Sequence, residues 1–105
     1  MSKPSIGRIV HFRISADDAA RINKRREDSA IHRHPQPGVH SPGTGEQHHI
    51  GNAAREGDIY PMIIVRVWND SLVNGQVLLD GNDVLWVTSV SEGDAPHSYA
   101  WPVVR

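Results

Sequence analysis

Residues 57–90 read GDIYPMIIVRVWNDSLVNGQVLLDGNDVLWVTSV and contain most of the side chains that can form a core. The stretch is rich in β-branched residues, which favours strands over helices. Asn69-Asp70 and the run from Asp80 to Asp83 are turn sequences, because Gly and Asn accept the positive φ of tight hairpins. Three consecutive strands are therefore predicted. Pro61 limits the first strand to an edge or a bulge, and Gly75 marks a bulge or a close approach in the second.

A strand is also predicted over residues 7–14, before the central stretch. Val10, Phe12 and Ile14 alternate there with more polar positions, the pattern of a half-buried strand. After the central stretch, the tail YAWPVV can add a short edge strand that closes the sheet. We thus expect residues 57–104 to form a β-meander that pairs with the N-terminal strand.

One helix is expected over residues 15–29. Ser15 can serve as the N-cap, and Asp17 and Asp18 favour the positive end of the helix dipole. Its apolar stripe is thin, so the helix must lean on the sheet. Residues 31–56 are then predicted to form a long irregular loop, because prolines, glycines and five histidines interrupt any regular pattern.

The chain has 105 residues, which is the size of a single domain, here residues 1–105. The predicted class is mainly β, with α+β character. We expect a small, strongly bent antiparallel sheet, or an SH3-like or OB-like barrel, of about five strands with one helix after the first. Barrel closure would hide the exposed edges of the sheet.

Composition excludes several classes of protein. The chain has no cysteine, so neither a disulfide framework nor a thiolate metal site is possible. The N-terminus lacks the apolar core of a signal peptide, and no apolar run has membrane-spanning length, so we expect no membrane partner. The net charge of -1 argues against a general nucleic-acid coat, although eight of the eleven Lys and Arg residues precede Pro35.

The candidate ligand-binding residues are basic and aromatic. Arginines along one side of the helix can bind phosphates, although a solvated face neutralised by Glu27 and Asp28 is the slightly more common explanation of such a cluster. A tryptophan in a small barrel belongs to the core more often than to a binding platform. Trp86, however, alternates with Leu85 and Val87, which point the other way together with Ser89, so one tryptophan can be exposed beside a cation. The predicted set is Arg21, Arg25, Arg26, Arg66, Trp68, Trp86, His97 and Trp101.

Metal binding and catalysis are only weakly indicated. Imidazoles bind zinc, and the candidates in the loop are His32, His34, His48 and His49, but their spacing matches no zinc motif. Candidate acids and bases exist, namely Asp58, Asp94, His97 and His11. No nucleophile, base and orienting group can be recognised together, so no catalytic residue and no cofactor is predicted.

Together, several segments form a pattern that covers nearly the whole chain: SIGRIVHF, INKRR, HIGN, GDIYPMIIVRVW, VNGQVLLDGNDVLWVTSV, EG and WP. This pattern resembles a group of small, mostly uncharacterised proteins encoded by tailed phages and prophages. The His/Pro/Gly segment around residues 32–47 departs from it. The resemblance implies a phage setting and transfers no activity, cofactor or catalytic residue.

Three hypotheses for function follow. The first is a non-enzymatic, homo-oligomeric phage accessory protein in the host cytoplasm, with an anti-defence role, which sequesters a small anionic, nucleotide-like ligand or occludes a host protein. The second is a virion component, a capsid decoration or connector protein bound to phage capsid proteins. The third is a metal-dependent enzyme built on the loop histidines.

Overall fold

The computed structural model describes residues 3–33 and 52–102. In chain order its elements are β1 (Ile9–Arg13), α1 (Ala16–Arg33), β2 (Ile59–Val67), β3 (Leu72–Leu78), β4 (Val84–Glu92) and β5 (Ser98–Ala100). The strands form a closed barrel in the order β1-β2-β3-β4-β5. A small barrel of five strands with one helix after the first strand is thereby confirmed.

Neighbours in the barrel are also neighbours along the chain, which is the order of a meander and differs from the Greek-key order of an OB barrel. Closure depends on β1, which pairs antiparallel with β2 on one side and with β5 on the other. The sheet is mixed, because β4 and β5 pair in parallel through two residue pairs. The C-terminal segment closes the sheet, as the sequence predicts, but through the strand Ser98–Ala100: Trp101 and Pro102 of the predicted strand YAWPVV follow it, and residues 103–104 lie outside the described residues.

The interior of the barrel is filled by apolar side chains. Val10, Phe12 and Ile14 point inward from β1 and its end and are fully buried, as their alternation predicts. Strands β2 to β5 contribute most of the remaining core, including Met62, Ile64, Val73, Val77, Leu85, Val87, Val90 and Tyr99. The helix adds Ala19 and Ile22, so it leans on the sheet through one narrow stripe.

The start of α1 is fixed by a reciprocal cap. The Asp18 amide donates to Ser15 Oγ at 3.0 Å, and the Ser15 amide donates to Asp18 Oδ2 at 2.9 Å. This is the capping arrangement that satisfies two backbone donors at once. Ser15 is therefore confirmed as the N-cap.

The helix ends at Arg33, four residues beyond the predicted end near Ser29. Residues 30–33 include neither glycine nor proline, and the first residue that disfavours helix is Pro35. The prediction that irregular structure begins at residue 31 was therefore wrong for residues 31–33. Residues 34–51 of that predicted loop lie outside the described residues. No helix in the described part of the chain is long and apolar enough to cross a membrane.

Two irregularities in the ladders change which residues face outward. Between Ile64 and Arg66, β2 has one residue more than the facing segment of β3, and the extra residue is Val65. Between Val87 and Val90, β4 likewise has one residue more than β3. The prediction that Ser89 faces inward with Val87 was therefore wrong: Ser89 is exposed with a φ of 53° and Val90 is buried.

Gly75 lies next to both irregularities, opposite Ile64 of β2 and Val87 of β4. A Cβ at this position would overlap the Met62 side chain and would lie 3.0 Å from the carbonyl oxygen of Ile63. The predicted close approach is thus confirmed. Pro61 lies where the β2–β3 ladder has not yet begun, because the first pair of that ladder is Met62 with Val77.

We predict that Gly75→Ala destabilises the protein by about 1–3 kcal/mol, because Met62 is buried in the core and cannot move without repacking it. The measurement is the free energy of unfolding in urea. Gly93→Ala is the matched control, since a Cβ there would meet its nearest atoms, those of Ser98, only at 3.9 Å. Equal unfolding free energies for the two variants would contradict the packing argument.

Candidate functional site

The outward side of β2, β3 and β4 carries a set of exposed or half-buried, mostly apolar side chains. The register aligns Ile63 of β2 with Gln76 of β3 and Trp86 of β4, and it aligns Leu78 of β3 with Val84 of β4. We call this surface the outer face. It consists of Pro61, Ile63, Val65, Arg66, Trp68, Gln76, Leu78, Val84, Trp86 and Thr88.

Trp86 is the most exposed of the large hydrophobic side chains on the outer face. Its exposed fraction is 59%, and Val84 beside it is 45% exposed. Val84, Trp86 and Thr88 are all exposed, as their alternation in the sequence predicts. A large aromatic side chain at this position contributes nothing to the core, so its apolar surface is available to a partner.

Trp68 stands at the end of the outer face, just after β2, and is held in one orientation. Its indole Nε1 donates to Asn74 Oδ1 at 2.9 Å, and the same oxygen accepts the Ser89 amide at 2.8 Å. Asn74 is 7% exposed, so this is a buried polar support for an indole that is itself 51% exposed. Such support reduces the freedom that the side chain would lose on binding.

Arg66 lies over the indole of Trp68, with the guanidinium carbon 4.1 Å from the ring centroid. This is a cation–π arrangement, which favours a flat guanidinium against the ring. Arg66, Trp68 and Trp86 are candidate binding residues on the sequence alone, and the barrel brings all three to the outer face.

The helix arginines lie elsewhere and hold the helix to the β3–β4 hairpin. Arg26 donates to both carboxylate oxygens of Asp83 at 2.9 Å and to the carbonyl of Asn52 at 2.6 Å. Arg25 donates to the carbonyl of Val84 at 2.7 Å. Both guanidinium groups thus have internal partners, whereas Arg21 is exposed on α1.

The Arg26–Asp83 pair perturbs both groups. The hydrogen bond with Asp83 raises the pKa of Arg26 above its usual value, and the same bond lowers the pKa of Asp83. Their side chains are 10% and 21% exposed, respectively. The two residues therefore form a partly buried, bidentate ion pair, whose charge-assisted hydrogen bonds are stronger than those between neutral groups.

His97 contacts a residue in the first turn of α1. Its Nδ1 lies 2.8 Å from Asp18 Oδ2, and its ring meets Phe12 edge to face at a centroid distance of 5.2 Å. The His97 amide also donates to the Arg13 carbonyl at 2.7 Å. Asp18 is buried, so His97 supplies the partner that a buried carboxylate requires.

Trp101 lies on the β5 side of the barrel and is half-buried. Its Nε1 donates to Glu92 Oε1 at 3.3 Å, and its ring meets Tyr99 edge to face. Arg8 lies over the ring with its guanidinium carbon 5.0 Å from the centroid. Burial raises the pKa of Tyr99, whose hydroxyl has no hydrogen-bond partner among the described residues.

The predicted acids and bases are dispersed. Asp58 accepts the Tyr60 hydroxyl at 3.2 Å and the Arg55 amide at 3.0 Å, and burial together with Asp58 raises the pKa of Tyr60. His11 and Asp94 are exposed. Residues 3–33 and 52–102 contain no group of three or more His, Asp or Glu residues that could hold a metal ion. His34, His48 and His49 lie outside the described residues, as does the side chain of His32.

Sequence reasoning missed the residues that support the site and the helix. Of these residues, Asn74 is the one that the sequence could have indicated. Asparagine is depleted in strands, so an asparagine within a predicted strand suggests a particular hydrogen-bond partner. The sequence pattern predicts only a turn at Asp83 and only a favourable contact with the helix dipole for Asp18. Their partners lie 57 and 79 residues away, which no local pattern reveals.

Comparison of the chain with protein-family models, with curated proteins and with solved structures gives no match. The interpretation of the outer face therefore depends on its own geometry.

We predict that Arg26→Ala lowers the free energy of unfolding at pH 7 by about 2 kcal/mol, because it leaves the Asp83 carboxylate without its main partner. Asp83 has a lowered pKa when folded, so the contribution of the pair is present above the ordinary aspartate value of 3.8 and is lost as pH falls through the folded value. The difference between wild type and variant should therefore shrink below about pH 4.

Urea unfolding of both proteins at pH 7 and pH 3 checks this expectation. Lys24→Ala is the control, because the Lys24–Asp28 pair is exposed and should change stability by less than about 0.5 kcal/mol. A stability difference for Arg26→Ala that is the same at both pH values would show that the ion pair is not its cause.

Proposed function

We propose that this protein is a non-enzymatic binding protein that acts by covering a surface of another protein with its outer face. The observation that carries the proposal is the exposure of Trp68 and Trp86 on one strand surface, among aliphatic neighbours and with Arg66 as its one charged side chain. Continuous exposed apolar surface of this kind is typical of protein–protein contact sites.

The composition of the outer face supports a protein partner. Tryptophan and arginine are the residues most enriched among those that dominate binding energy at interfaces. Burial of a tryptophan in a partner's pocket is commonly worth about 2 kcal/mol or more. Both tryptophans project from a closed barrel whose core is filled without them, so binding would require no rearrangement of the fold.

The helix arginines give little support to the alternative of a small anionic ligand. Arg25 and Arg26 donate to Asp83 and to backbone carbonyl groups, so their charge already serves the attachment of the helix. The remaining candidate arginines are exposed on different elements, Arg21 on α1 and Arg66 on β2. Occlusion of a protein is therefore the better supported form of the binding hypothesis.

The setting of this activity is proposed from the phage resemblance. A host protein whose surface is covered would place the chain in the host cytoplasm as an accessory, anti-defence protein. A capsid protein as partner would make it a virion component. The two settings share one binding surface and differ in the partner that it contacts.

Photo-cross-linking in the host cell tests the proposal. The photoreactive residue p-benzoylphenylalanine is introduced in place of Trp86 and, as the matched control, in place of Ala20, which is exposed on α1. We expect discrete adducts with another protein from position 86 that are absent from position 20, because only the outer face is held against a partner. Mass spectrometry of the adduct then identifies a host or a capsid protein.

The same adduct pattern from both positions, or no adduct from position 86, would contradict the proposal. Calorimetric titration with a panel of cyclic nucleotides is the complementary measurement. Saturable binding that is lost in Arg66→Ala, together with no adduct from position 86, would support the small-ligand alternative instead.

A further inference from the structure

We infer that the partner of the outer face is a different protein that presents a carboxylate, from Asp, Glu or a chain terminus, to Arg66 and apolar side chains to Trp86. This inference rests on the proposed function and deepens it, because it states the chemistry of the partner segment. Its basis is the corner formed by Arg66, Trp68 and Asn74.

Arg66 is pre-positioned for an anion. Its guanidinium carbon lies 4.1 Å from the centroid of the Trp68 ring, a cation–π contact, and the group carries its N–H donors in a planar fork that can bind other partners. Within residues 3–33 and 52–102, it has neither a hydrogen bond nor an ion pair. Asn74 fixes the indole beneath it, so the whole stack is supported from inside the barrel. A planar fork held in this way matches the two oxygens of a carboxylate.

The outer face cannot supply that carboxylate to a second copy of itself. Its outward positions contain one arginine and no acidic residue. At its margins, Asp83 pairs with Arg26, Glu92 accepts from Trp101 and Asp80 accepts from Asn52, whereas the exposed Asp70 lies 3.9 Å from Lys3. In a two-fold dimer that pairs this face with itself, each Arg66 would be buried without a counter-charge, which is costly.

A phosphate group is also a poorer match than a carboxylate. Phosphate sites usually combine several cationic or backbone N–H donors around one anion. The outer face offers one guanidinium in apolar surroundings, with Val65 beside it and Ile63 two residues before that along β2. One charge among apolar side chains is complementary to a single carboxylate flanked by hydrophobic residues.

Selection from a library of random 12-residue peptides, displayed on yeast and presented with the purified full chain, tests the inference. Wild type should enrich peptides that combine Asp or Glu with Trp, Phe, Leu or Ile. Arg66→Glu should instead enrich Lys or Arg beside the same apolar residues. Arg55→Glu makes the same charge change at an exposed arginine before β2, at the other end of that strand, and should enrich the wild-type sequences.

The affinity of the best wild-type peptide gives the second readout. We expect about a tenfold or larger loss with Arg66→Gln, and a smaller loss with Arg66→Lys, because lysine keeps the charge without the planar fork. Thermal unfolding of each variant should match wild type, since Arg66 is exposed.

The outcomes separate the inference from the function on which it rests. If wild type and Arg66→Glu enrich the same peptides while Trp86→Ser enriches none, the inference is overturned and the proposed function stands. If Trp86→Ser enriches the same peptides as wild type, or wild type enriches none, the proposed function fails and the inference with it. Self-association in sedimentation velocity that Trp86→Ser abolishes and Arg66→Glu leaves intact would overturn the inference in favour of a second copy.

Discussion

Closure of the barrel through β1 is the constraint on which the rest of the structure depends. One five-residue strand, Ile9–Arg13, pairs on both sides, with β2 and with the three-residue β5. A strand in that position has no free edge, and its inward residues, Val10 and Phe12, are fully buried. The helix must then follow directly from the end of β1. Its stripe of Ala19 and Ile22 therefore reaches the core within two turns of its start.

Two polar contacts keep the helix in that place. Asp18 meets His97 near the first turn, and Arg26 meets Asp83 two turns later, so each end of the packed segment has its own attachment to a different loop of the barrel. Apolar burial of a thin stripe leaves the direction of a helix weakly determined, whereas hydrogen bonds to particular partners specify it. The charges of the helix therefore serve the fold, and this is why the outer face, not the helix, carries the candidate site.

The sequence predicts the strands well and their long-range partners poorly. Turn residues and alternation are local features of a sequence. The helix cap at Ser15, the close contact at Gly75 and the common outward face of Val84 and Trp86 could therefore be predicted from neighbours within a few positions. The arginines of the helix were ambiguous because a guanidinium suits a phosphate and a carboxylate equally. Only the fold brings Asp83 to Arg26 across 57 residues. Half of the candidate site is therefore predictable from the sequence. Arg66, Trp68 and Trp86 can be proposed as binding residues, but the surface that they share and the support that Asn74 gives to Trp68 cannot.

The extra residue in β2 explains why that surface could not be derived from the pattern. In a regular strand residues 63, 65 and 67 share one face, so Arg66 and Trp68 would point inward beside Ile64. The bulge at Val65 changes the alternation by one residue: Val67 packs against the core, whereas Arg66 and Trp68 face outward. Because IYPMIIVRVW is apolar almost throughout, the position of that change leaves no trace in the sequence. The bulge thus places Arg66 and Trp68 on the outward side of a strand whose Ile64 and Val67 face the core, and so it makes their contact on the outer face possible.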